Sequence, residues 1–243
     1  MLKRARAVHL AINFEALSAG PEKGGPWQRL EAVDRFVVFK RPSSADANGA
    51  RVPGLDVMCA GRLEASIEEV ARVFRTRSEV DIASTMQGLY AKNFIFGSLD
   101  REISCSTKQP QLNEDDLDID TSEQLSVKTM SFTRSNLFGR NEQWCFSDFF
   151  QRKRERDGFT ISQHALPPME PTPGRVLGSN ARVDQLYGLN ASYLVDQLPN
   201  REGLRIVYNT WFEDVTNTEL STASSCRSVS SRKSGRLHSF WIE

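Results

Sequence analysis

The stretch Asn141–Leu166, NEQWCFSDFFQRKRERDGFTISQHAL, constrains the fold more than any other. Trp144, Phe146, Asp148 and Phe150 alternate with Cys145, Ser147 and Phe149, the period of a strand with one strongly aromatic face. The return segment Phe159–Leu166 alternates again through Phe159, Ile161 and Gln163. Asp157-Gly158 predicts a type I′ turn between them, because that turn needs positive φ. Such a hairpin demands a large apolar cover over one face. Asp148 lies in register with the aromatics, so it is either an edge residue or a polar spot in a lined cavity.

The flanking sequence supplies more strands. Arg35–Lys40 and Leu55–Leu63 read as an antiparallel pair. Phe94–Ile103, Leu125–Phe132, Arg182–Leu194 and Leu204–Glu213 also have strand character. In the last, Leu204, Ile206, Tyr208, Thr210 and Phe212 share one face. Ser66-Ile67-Glu68-Glu69 is a capping box, followed by Val70, Ala71 and Phe74 at helical spacing. A second helix is predicted over Glu79–Tyr90. An N-terminal amphipathic helix is predicted to pack through Val8, Leu10, Ile12, Phe14 and Leu17. The sum is an α+β chain of seven or eight strands in a large curved antiparallel sheet, with two helices inserted after the second strand.

Other classes find little support. The chain of 243 residues has 31 basic and 31 acidic side chains. That balance argues against a dedicated nucleic-acid binder, and hydrophobic and charged fractions of 39% and 26% are those of a soluble globular protein. No apolar run approaches a bilayer span, and no cleavable leader stands out, so a reducing cytosol is the expected setting. Cys59, Cys105, Cys145 and Cys226 have no metal-site spacing. The acidic run Asp116-x-Asp118-x-Asp120 lacks the glycine and the terminal glutamate of a calcium loop. No P-loop, dinucleotide fingerprint, G-x-S-x-G or H-E-x-x-H motif occurs. Asp148 and His164 are the remaining acid–base candidates, and nothing in their spacing pairs them. No enzyme, metal or cofactor is expected.

Two strands, two helices and then a run of antiparallel strands is an order that resembles the START lipid-binding domain. Leu125–His164 is similar to its segment in which a strand leads to an Arg-Asp pair and a long hairpin. Ala181–Glu213 is similar to its closing strands. LFGRNEQWCFSD and the upstream MQGLYAKNFIFGSLD resemble most closely a divergent START-like family abundant in oomycetes, some members of which carry a FYVE zinc module. The resemblance covers Trp27–Val215. It implies a helix-grip fold, a curved sheet around a hydrophobic cavity, and non-covalent binding of a lipid or sterol-like molecule for transfer or sensing.

Position by position, Arg140 matches the family's arginine, while Asn141 stands where the aspartate is usual. Trp144, Phe146, Asp148, Tyr208 and Phe212 are expected to line the cavity. The basic tip Arg152, Lys153, Arg154 and Arg156 is expected to touch anionic membrane surfaces transiently. The family closes its tunnel with a long C-terminal helix. Here Thr216–Glu243 is Ser-rich with weak periodicity, so that helix is expected to be missing or degenerate. The organisation expected is residues 1–26 as a helix and linker, 27–215 as the START-like domain and 216–243 as a disordered tail. Two other readings stay open: a degenerate START-like interaction or regulatory module without lipid, and an enzyme of the helix-grip superfamily.

Overall fold

The structure, a computed structural model, describes residues 1–22, 24–42, 55–105, 123–134, 140–153, 157–177, 182–199 and 202–213. The acidic loop, Arg154, Arg156 and the Ser-rich tail expected to replace a closing helix lie outside them. Among the described residues, ten strands form one sheet. They are β1 (Gln28–Val33), β2 (Phe36–Pro42), β3 (Leu55–Leu63), β4 (Phe94–Ile103), β5 (Glu123–Phe132), β6 (Asn141–Arg152), β7 (Gly158–Ala165), β8 (Val183–Gln185), β9 (Leu189–Gln197) and β10 (Leu204–Phe212). The order across the sheet is β1-β2-β3-β10-β9-β7-β6-β5-β4, with β8 beside β6. All neighbours are antiparallel except β6 and β8. The closing strands β9 and β10 join the opening strand β3 to the aromatic hairpin, which curves the sheet around one face.

That concave face carries the core. Trp144, Phe146 and Phe150 of β6 join Phe159 and Ile161 of β7, Tyr193 of β9 and Tyr208 of β10 in one buried cluster. Two helices cover it, α3 (Ile67–Phe74) and α4 (Glu79–Tyr90). The capping box is complete: Ser66 accepts from the Glu69 amide, and Glu69 accepts from the Ser66 amide. This satisfies two of the donors that a helix start leaves open. Ile67, Val70 and Ala71 are then buried together on one side of α3. In α4 the fully buried Ile82 packs so closely over Gly97 that a Cβ there would lie 2.8 Å from it.

The convex face has a cover of its own. Helices α1 (Leu2–Ala11) and α2 (Phe14–Ala19) pack on it. Here the expected apolar stripe is only partly used. Leu10 is 80% exposed, while Ala5, His9 and Leu17 are buried. His9 Nδ1 and Nε2 lie 2.9 and 3.0 Å from the Ser162 and Thr160 hydroxyls, and its ring stands edge-on to Phe149. Burial holds its pKa down to about 4.

Three expectations are corrected. The edge strand β1 was not anticipated, so the helices follow the third strand. The segment Arg182–Leu194 is two strands, because Gly188 takes a φ of +79° between them. The hairpin is not closed by a two-residue type I′ turn at Asp157-Gly158. Residues 153–157 separate β6 from β7, and Gly158 is a strand residue outside the positive-φ glycines. Glycine is needed there for room: a Cβ would sit 2.3 Å from the Val195 carbonyl oxygen.

Candidate functional site

Between the concave face and the two helices lies a cavity of about 890 Å³. Its floor is β5 and β6. Lys128, Met130 and Phe132 come from one strand, and Trp144, Phe146 and Asp148 from the other. Strand alternation places them, since every second residue of each strand faces inward. Trp144 and Phe146 stack with ring centroids 4.0 Å apart, and the Trp144 indole N–H donates to the Leu189 carbonyl at 3.1 Å. The roof is Val70, Val73 and Phe74 of α3 with Met86, Leu89 and Tyr90 of α4. Exposed lining residues mark the mouth: Leu63 at the end of β3, Val73 on α3 and Leu89 on α4.

One polar spot interrupts this wall. The Lys128 ammonium forms a salt bridge with Asp148, with side chains only 5% and 7% exposed. The two are diagonal neighbours, since Lys128 pairs with Phe146 and Asp148 with Ser126 across β5 and β6. Lys128 also donates to the Phe74 carbonyl at 3.2 Å. Gln163 donates from Nε2 to the second Asp148 oxygen at 3.2 Å. The carboxylate fixes that amide's orientation, because only the NH₂ end can donate to it. Among the described residues, the Gln163 carbonyl oxygen and the Thr76 hydroxyl on the same wall are buried without a hydrogen-bond partner. A buried unsatisfied polar atom costs about 1–3 kcal/mol. The spot therefore holds a neutralised charge pair with hydrogen-bonding capacity in reserve.

Of the residues singled out from sequence, Trp144, Phe146, Asp148 and Phe212 are on the cavity wall. Tyr208 is buried behind it, its ring 4.8 Å from that of Tyr193. Burial pushes the pKa of both phenols up. Arg140 is not at the cavity. Its side chain is 59% exposed and reaches Asp184 at 4.0 Å. For Arg152 the expected membrane contact is corrected. Arg152 is buried and grips Glu68 in a two-pronged ion pair at 2.7 and 2.8 Å, and Lys153 pairs with Asp196.

Asp148 and His164 do not form an acid–base couple. Asp148 pairs in register with Gln163, and its neighbour His164 faces the opposite side of the sheet, against Trp211. Among the described residues no three metal-ligating side chains gather, and no helix is long and apolar enough to cross a membrane. The residue missed from sequence is Lys128. Its signal was there: in LSVKTMSF it is the charged residue in phase with Met130 and Phe132.

No family model and no curated protein matches the sequence. Solved structures do match the fold. Human StAR-related lipid transfer protein 5 superposes with a TM-score of 0.54 at 11% identity, covering 92% of this chain and 90% of its own. A STAR-related lipid transfer protein fragment from Xanthomonas axonopodis gives 0.52 at 11% identity, covering 82% and 95%. The fold is START-like. The START-like sheet here has its cavity where the aromatic hairpin meets the inserted helices.

Proposed function

We propose that this chain is a lipid-binding module that holds one apolar molecule with a polar end, for transfer or sensing. The observation that carries the proposal is the cavity itself. Its volume of about 890 Å³ lies within the range of small-molecule sites, and its wall is apolar around a few convergent polar groups. The proteins of like fold named above are lipid transfer proteins, which supports the same reading.

The polar spot adds a preference. Lys128 and Asp148 neutralise each other, so an anionic lipid head buried here would bring an uncompensated charge. An uncharged group that both donates and accepts matches the spare capacity of Lys128, Asp148 and Gln163. The ligand proposed is therefore a neutral lipid bearing a hydroxyl, with Trp144, Phe146 and Phe212 against its apolar body. Native mass spectrometry of protein purified from a eukaryotic host tests this. One lipid mass per chain, released on denaturation and identified as a neutral alcohol, is the expected result. Protein that carries no lipid and moves none between liposomes refutes it.

A further inference from the structure

The roof of the cavity is not uniformly built. Helix α4 is seated by Ile82, fully buried in close contact over Gly97 of β4. Helix α3 is held differently, by three buried side chains and by ties at its ends. Its apolar side rests on the core through Ile67, Val70 and Ala71, and Phe74 lies tilted on Tyr193 with ring centroids 4.7 Å apart. Each end is then tied by a cation from the sheet. At the start, Arg152 of β6 holds Glu68 with both guanidinium N–H groups. At the end, Lys128 of β5 donates to the Phe74 carbonyl, one of those a helix leaves unpaired at its C-terminus. A cation there also faces the negative end of the helix dipole.

These ties differ in kind. Glu68 is 64% exposed, so water and salt compete for the first. The second is buried and uses the same ammonium that neutralises Asp148 inside the cavity. The helix with a salt-exposed tie is thus also the one wired to the polar spot. Val73, exposed at the mouth, lies on it.

We propose that α3 is the gate of the cavity, latched by Arg152–Glu68 and Lys128–Phe74, and that ligand enters and leaves by its displacement. This rests on the lipid-binding reading above. With the salt-sensitive latch broken the gate opens more often, while ligand contacts stay as they were, because Glu68 is not on the cavity wall. The test compares wild type with Glu68→Ala in two ways. Hydrogen exchange of the α3 amides needs no ligand. Uptake of nitrobenzoxadiazole-labelled cholesterol from phosphatidylcholine vesicles, by stopped flow, reads the gate.

Glu68→Ala is expected to speed α3 exchange about two- to fivefold, the scale of a partly exposed ion pair, with α4 unchanged. Uptake and release should quicken by a similar factor at unchanged affinity, and Glu68→Gln, which keeps an acceptor for Arg152, should fall between. Unchanged α3 exchange, or a rise shared equally by α4 and the strands, overturns the latch. Faster α3 exchange with unaltered uptake overturns the gate and leaves the cavity reading intact. Absence of probe uptake by wild type, together with absence of lipid in the native mass spectrum, overturns both.

Discussion

Replacing Lys128 with methionine tests the centre of the site. Methionine has nearly the same length and no charge, so the change removes the ammonium and keeps the volume. Lys128 and Asp148 are both buried, and Lys128→Met leaves the Asp148 carboxylate with Gln163 as its described side-chain partner in an apolar wall. Breaking a buried pair from one side costs about 3–5 kcal/mol. The lost bond to the Phe74 carbonyl adds about 1 kcal/mol. A domain has about 5–15 kcal/mol of stability in all, so a large part of it goes. Asp148→Leu alone strands the ammonium and should cost a comparable amount. The double variant Lys128→Met/Asp148→Leu removes both charges together and should recover to within about 2 kcal/mol of wild type, since buried pairs are often replaceable by apolar residues. Urea unfolding followed by tryptophan fluorescence gives all four corners of the cycle. The signature is strong non-additivity. Single variants that each cost under about 1 kcal/mol, or that add within about 0.5 kcal/mol, would refute a desolvated charge pair. The double variant should also bind apolar probes while losing its preference for a hydroxyl.

Other consequences are simpler. His9 has a pKa held down to about 4 against an ordinary value of 6.5, so the fold favours its neutral form. Its contribution is fully present above pH 6.5 and is lost as pH falls toward 4, up to about 3 kcal/mol; NMR titration of His9 with urea midpoints at pH 7 and 4.5 checks it, and a midpoint near 6.5 for the ring would contradict it. Gly158→Ala places a methyl against the Val195 carbonyl and should cost about 1–3 kcal/mol in chemical denaturation. Ser66→Ala removes half of the α3 capping box and should lower stability by about 1 kcal/mol, with faster exchange confined to the first turn of that helix.

Much of this architecture was legible where one period dominates. The alternation of Trp144, Phe146 and Asp148 gave β6 and its inward face, and the Ser66 box gave the start of α3. Failures have local causes. Strand β1 is an edge strand with little burial on either face, so it carries no hydrophobic signal. Gly158 is a glycine kept for the close approach of a neighbouring strand, and a single sequence does not distinguish that need from a turn. His9 carries no local signal of burial, because its hydroxyl partners are more than 150 residues away. The site was half legible: Asp148 stood out among aromatics, while the cation that answers it sits on another strand. Arg152 read as part of a basic tip facing membranes because its partner Glu68 is remote in sequence.

The first two helices have a practical meaning for anyone cutting this polypeptide. They shield Phe149, Leu125, Met58 and Val207 on the outer side of the sheet. Recombinant protein trimmed to start at Trp27 would bare that surface to water along several adjacent strands. A wide greasy sheet face of this sort invites self-association. Affinity tags are better fused ahead of Met1 than substituted for the first turns.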